Sequence, residues 1–289
     1  MSFPSRRDFL VTAAGAFAAL AGCKRTSVAS GPSDKPYLER LASFRTKLTR
    51  VGPAPQSAEN TAPPEGVREI QYRSGALDLP AWLKIAPDAP SKAPAVVYFH
   101  GGFAFGPGDF EDALPLGERR ALLCPTLRAE NGNPGTFEMF LSELEDAAAA
   151  VRWLAAQTFV DPERIYTFGH SAGGLISALL SLRDGVPCKH GGSSGGLYDD
   201  QLFSGMEETP FDPREATECR MRLLVGNVRW MRRRHYAYCG KDDRWQAVQA
   251  ARRESGTSSL LSIKEFPGDH FTSLAPAIAA YAALIAQEG

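Results

Sequence analysis

Gly169-His170-Ser171-Ala172-Gly173-Gly174 decides how the rest of the chain is read. The five residues before it, 164–168, are Arg-Ile-Tyr-Thr-Phe, a short apolar run that reads as a buried strand. After it, Leu175, Leu179 and Leu182 recur at helical spacing. A strand, then G-x-S-x-G, then a helix is the context in which a serine is held on a sharp turn with its hydroxyl clear of the backbone. Glycines are needed on either side because side chains there would collide with the neighbouring strand and helix. The helix N-terminus favours negative charge building up near Ser171.

Working outward, the sequence alternates strands and helices. Residues 67–72 and 77–85 alternate apolar with polar residues around Ser74-Gly75, the pattern of a hairpin with one wet face. Residues 95–99 form a continuous apolar run, as in a strand buried on both sides, and lead into His100-Gly101-Gly102-Phe103. A strand is expected over 120–127, though Pro125 weakens it. The strongest helix spans 137–156, where Phe140, Leu144, Ala147, Ala148, Val151, Leu154 and Ala155 make one apolar stripe. Further on, 187–197 is rich in Gly and Ser, so a strand there would be short and poorly filled. One or two helices over 214–231, a strand at 235–240, a helix at 244–253, a strand at 260–266 and a helix at 273–286 complete the reading. This predicts an α/β class: a mostly parallel sheet with an antiparallel N-terminal hairpin and helices on both faces.

The chain has 289 residues, 44% of them hydrophobic, and a formal net charge of −1. That suits one large globular domain and gives no reason to expect nucleic acid as a partner. The first residues are different. Arg6-Arg7 precedes an apolar run, 11–20, too short for a stable membrane span. The paired arginines resemble a twin-arginine export signal, and Leu20-Ala21-Gly22-Cys23 resembles a bacterial lipobox. The resemblance implies removal of 1–22, lipid modification of Cys23 and membrane contact through that lipid. The protein would then be exported as a periplasm-facing lipoprotein, and Lys24 in place of an aspartate points to the outer membrane. Residues 23–66 read as a tether rich in Ser, Pro and Ala, with one short helix around Leu38, Leu41, Phe44 and Leu48; the catalytic domain would be 67–289. In an exported chain thiols can pair. Cys124 and Cys239 lie in expected core strands, whereas Cys188 and Cys219 flank a loop-rich stretch and are the better disulfide candidates. No spacing suggests a metal.

A serine nucleophile needs a base that is itself oriented by an acid. Val160-Asp161-Pro162-Glu163-Arg164-Ile165, the Gly-His-Ser-Ala-Gly-Gly stretch and Gly268-Asp269-His270-Phe271 resemble the alpha/beta-hydrolase superfamily, close to prolyl oligopeptidase and dienelactone hydrolase-like catalytic domains and small esterases. The resemblance implies the order Ser, acid, His along the chain. It selects Ser171 and, of five histidines, His270 in the loop after the last strand. The acid belongs in Gly240-Lys241-Asp242-Asp243. Counting past the glycine as in related enzymes selects Asp243, while aligning the aspartate pair selects Asp242; Asp243 is the choice here, and the other suits a helix N-cap. The N–H groups of Gly102 or Phe103, with that of Ala172, would hold the tetrahedral oxyanion. His100 reads as a structural hydrogen bonder.

The expected activity is a cofactor-free serine hydrolase acting on carboxylic esters, with a small ester or short peptide as substrate. Alternatives are a prolyl oligopeptidase-like peptidase, an acyltransferase, or a non-catalytic binding protein on the same fold. No acidic pair that would hold a peptide's free amino terminus is apparent. Phe103, Phe105, Phe110 and Tyr198 are candidates for lining a pocket. Two departures from the relatives stand out: Phe103 replaces a third glycine, and Gly-Ser residues fill a normally apolar strand.

Overall fold

The computed structural model describes residues 34–58, 61–205, 209–244 and 247–288. The expected export signal and Cys23 lie outside the described residues. Eight strands form one sheet: β1 (Val67–Ser74), β2 (Leu77–Ile85), β3 (Ala93–Phe99), β4 (Ala121–Pro125), β5 (Val160–His170), β6 (His190–Ser194), β7 (His235–Gly240) and β8 (Leu261–Phe266). Their order is β1-β2-β4-β3-β5-β6-β7-β8. β1 pairs antiparallel with β2, and β2 antiparallel with β4; every other pairing is parallel.

Strand β3 shows why the parallel part reads as unbroken apolar sequence. Ala95, Val97 and Phe99 join the core on one face, Val96 and Tyr98 the core on the other. Helices α3 (Ser142–Ala155) and α4 (Ser171–Leu180) cover the first face, as Leu144, Val151, Leu175 and Leu179 in that core show. On the opposite face lie α2 (Pro107–Ala113) and α7 (Leu274–Ala286), through Phe110, Ala277, Ile278 and Tyr281. Among the described residues no helix is long and apolar enough to cross a membrane.

Two local readings are corrected, and one expected strand is located. Helix α3 begins at Ser142, not at 137. Met139 and Phe140 have φ of 55° and 68°, outside the helical region, and the Glu143 carboxylate accepts the N–H groups of Glu138 and Leu141 instead. The short strand expected in the Gly-Ser stretch is β6, buried along its whole length. Its glycines are required by what packs on them: a Cβ on Gly192 would come within 2.8 Å of the Tyr281 and Phe168 rings. Aromatic side chains from neighbouring elements fill the space that β6 leaves. Finally, Cys188 and Cys219 form no bridge; Cys124, Cys188, Cys219 and Cys239 are all free. Cys219 is buried on α5 (Ala216–Met221), its Sγ 3.2 Å from the Pro213 carbonyl oxygen, committed to its own loop.

The N-terminal segment is laid against this domain. In α1 (Tyr37–Ser43), Tyr37 is buried and its hydroxyl donates to the Met221 carbonyl. Further along, Thr46 Oγ1 and the Lys47 N–H donate to the Glu218 carboxylate, which also meets Arg222 Nη1 at 2.6 Å. Arg222 is fully buried, with its guanidinium 4.0 Å from the Phe211 ring centroid. A buried pair of opposite charges, each with further hydrogen bonds, is costly to break; here it clamps the segment to α5. From there the chain runs toward the strand ends as a strap: Phe137 N–H donates to Gly52 O, and Ala54 N–H to Ala129 O.

Candidate active site

The candidate residues converge because parallel strands end together. Gly169 of β5 is in register with Phe99 of β3, His170 with Ser194 of β6, and Gly240 of β7 with Phe266 of β8. The loops that leave these C-terminal ends carry every candidate residue.

Ser171 sits at the junction of β5 and α4 with φ 54°, a left-handed conformation that is strained for a residue with a Cβ. The sharpness of the turn dictates its glycines. A Cβ on Gly169 would overlap the Gly173 backbone, and one on Gly173 would overlap the backbone of Phe99 and His100. Gly173 N–H donates to the His100 carbonyl at 3.0 Å, tying this turn to the one after β3. Ala172 is then the second residue of α4, where backbone N–H groups have no partner within the helix.

His270 Nδ1 lies 2.9 Å from Asp243 Oδ2, with both side chains buried. Of the two aspartates, Asp243 meets the imidazole; Asp242 is exposed. With Nδ1–H donating its hydrogen bond to the carboxylate, the ring's Nε2 is left as the acceptor. Two neighbours that the sequence reading did not single out shape this pair. His170 Nε2 is 3.0 Å from the His270 carbonyl oxygen. Gly195, with φ +59°, leaves room for the imidazole: a Cβ there would stand 2.8 Å from His270 Nδ1. A glycine following a strand at this sheet edge was the available signal.

In the turn after β3, Gly102 has φ 69°. Phe103 N–H is already engaged: it donates to Gln56 Oε1 of the strap at 2.7 Å. His100 is buried, and its Nε2 is 3.1 Å from Glu130 Oε2. Burial alone would lower the imidazole pKa, but the Glu130 carboxylate outweighs it and raises the value to about 9. At neutral pH a buried cation therefore sits under the turn.

Beside the turn is a narrow recess lined by Gly102, Phe103, Phe137, Phe140 and Ile176, with Glu130 and Glu143 in its wall. The Phe103 and Phe137 rings meet edge to face, 4.9 Å apart. Burial pushes the Glu143 carboxyl up to about 7. The other aromatic candidates lie elsewhere: Phe105 and Phe110 pack on Trp82, and Tyr198 is buried with Ser193 and His235. Among the described residues no group of three or more His, Cys, Asp or Glu is placed to hold a metal.

The profile of the prolyl oligopeptidase family matches residues 134–222. Carboxylesterase NlhH of Mycobacterium tuberculosis is 31% identical over 133 residues, which cover 41% of this chain and 40% of the esterase. The chain thus spans well under half the length of that relative. Among solved structures, a puromycin-hydrolyzing peptidase of Mycobacterium tuberculosis superposes with a TM-score of 0.63 at 17% identity, covering 77% of this chain and 40% of that one. An esterase from Pyrococcus furiosus gives a TM-score of 0.60 at 15% identity, covering 82% and 97%. Sheet order and these superpositions give the chain the alpha/beta-hydrolase fold, and part of its length is similar to the prolyl oligopeptidase family and to a carboxylesterase.

Proposed function

We propose that the protein is a serine hydrolase that cleaves carboxylic esters through an acyl-enzyme. The observation that carries this reading is the buried His270–Asp243 pair, 2.9 Å apart, on the loops next to the strained Ser171 turn. In the proposed cycle Ser171 Oγ attacks the ester carbonyl carbon as its proton passes to His270 Nε2. Asp243 holds the imidazole in the useful tautomer and stabilises its cation. The oxyanion is held by N–H groups of the Gly102–Phe103 turn and of Ala172. His270 returns the proton to the departing alkoxide oxygen, which leaves as the alcohol. Water then gives a proton to His270, attacks the acyl-enzyme, and the carboxylic acid departs as Ser171 regains its proton.

Ester is favoured over peptide by the state of the carboxylates beside the turn. Glu130 is bonded to His100 and to the Leu127 N–H, and Glu143 to two backbone N–H groups. Both are committed, so neither is poised to grip a free amino terminus. The partial match to a peptidase family keeps short peptides as the second reading.

The test uses the full chain and Ser171→Ala against p-nitrophenyl esters and aminoacyl-p-nitroanilides, with labelling by a fluorophosphonate. Ester turnover and labelling that both vanish in the variant are expected. Turnover of anilides alone would move the reading to a peptidase, and a folded protein that neither labels nor turns over would leave a binding protein on this fold.

For location, the Arg6-Arg7 and Leu20–Cys23 patterns support an exported, periplasm-facing lipoprotein held at the outer membrane by lipid on Cys23. Metabolic labelling with a fatty acid, lost in Cys23→Ala, is the expected result.

A further inference from the structure

The strap that follows α1 reaches the catalytic mouth. Its Gln56 carboxamide oxygen accepts the Phe103 N–H at 2.7 Å and lies over Gly102, so that a Cβ on Gly102 would stand 2.5 Å from it. Phe103 N–H is one of the two donors that the turn after β3 offers to an oxyanion. The group occupying it is a neutral sp² carbonyl oxygen, the same kind of acceptor that a substrate ester presents. Nothing about the strap's own attachment requires this bond. Residues 52 and 54 are fixed by backbone hydrogen bonds to Phe137 and Ala129, and residues 46–49 by Glu218 and Pro210.

We propose that Gln56 is an internal competitor for the oxyanion site: it occupies the Phe103 N–H in the resting protein and yields it to the oxyanion as the carbonyl is attacked. This inference rests on the serine-hydrolase reading. The exchange runs in the right direction because a hydrogen bond to an anionic oxygen is stronger and shorter than one to a neutral amide. The ground-state carbonyl of the substrate has no such advantage over Gln56. Gln56 therefore slows acylation.

The experiment compares wild type with Gln56→Ala and Gln56→Met in fluorophosphonate labelling and p-nitrophenyl ester hydrolysis. The two variants remove the acceptor and leave the backbone anchors of the strap intact; the methionine also keeps the side-chain length. Both are expected to label and acylate about two- to tenfold faster, the ratio one hydrogen bond ordinarily carries. Gln56→Glu keeps the acceptor and adds negative charge beside the oxyanion, so its kcat is expected to fall with KM little changed. In a structure of the phosphonylated wild type, the phosphoryl oxygen is expected within hydrogen-bond distance of the Phe103 nitrogen, with Gln56 turned away. Equal or slower rates in folded variants, or an adduct in which Gln56 still holds Phe103, would overturn the proposal and leave Gln56 a brace for the turn. If wild type and variants alike stay unlabelled, the hydrolase reading itself falls and takes this inference with it.

Discussion

His170 Nε2 lies 3.0 Å from the backbone carbonyl oxygen of His270, one hundred residues further along the chain. A carbonyl oxygen only accepts, so His170 carries its proton on Nε2 and holds the loop of the candidate base by its main chain. The two rings lie 4.9 Å apart. The residue before the candidate nucleophile thereby holds the candidate base through its backbone.

His170→Ala is expected to lower kcat about tenfold with KM little changed, while costing about 1 kcal/mol of stability, the value of one hydrogen bond. His170→Gln, which can still donate, should recover most of the loss. Steady-state kinetics and thermal unfolding of both variants check this; full activity in His170→Ala would show that the loop holds itself.

Asp243→Asn leaves the shape of the site intact and removes the negative charge that selects the imidazole tautomer. The expected drop in kcat is on the order of 10³–10⁴. Asp242, exposed beside it, should tolerate the same change with near-wild-type kinetics. Equal losses in the two variants would return the choice of acid to open question.

The His100–Glu130 pair makes stability depend on pH. Burial lowers the His100 pKa, Glu130 overcomes that effect with a contribution from Asp109, and the folded value is about 9. In the unfolded chain the imidazole titrates near 6.5. The pair's contribution is therefore complete below that pH and is lost as the pH rises through about 9. Melting temperatures of wild type and Glu130→Gln across this range are expected to differ most at the acid end and to converge at the alkaline end. A constant gap would refute the assignment.

Gly192→Ala tests whether β6 is glycine-rich because of packing. The added methyl group would meet the Tyr281 and Phe168 rings inside contact distance. Overpacking of this kind costs about 1–3 kcal/mol, read as a lower midpoint in urea unfolding. An unchanged midpoint would mean that the rings move aside freely.

Much of the fold was legible because its signals are local. An apolar run such as Ala95–Phe99 reads as a strand buried on both faces, and turns such as Gly169–Gly173 punctuate it. What fills the space over strand β6, and where α3 begins, were not legible. Gly191 and Gly192 carry no apolar signal; what packs on Gly192 is Tyr281, some ninety residues away, and on Gly191 are Thr167, Ser177 and His235. The apolar stripe continued through Met139 and Phe140, but the Glu143 carboxylate captured the backbone there and stopped the helix. The free state of Cys188 and Cys219 was likewise invisible, since spacing does not say which way a thiol faces.

By itself the sequence determined the strand–Ser171–helix turn and the glycines that turn needs, because both depend on neighbours a few residues apart; the order of serine, acid and histidine followed from the resemblance of its motifs to a known superfamily. Only the tertiary structure decided that Asp243 and not Asp242 meets His270, that Gly195 and His170 shape that histidine's place, and that Gln56 holds the Phe103 N–H. Those contacts join loops from different strand ends and a strap from outside the sheet. Their partners are fixed by how parallel strands line up and by the bonds from Thr46 and Lys47 to the buried Glu218, contacts between segments far apart in the chain.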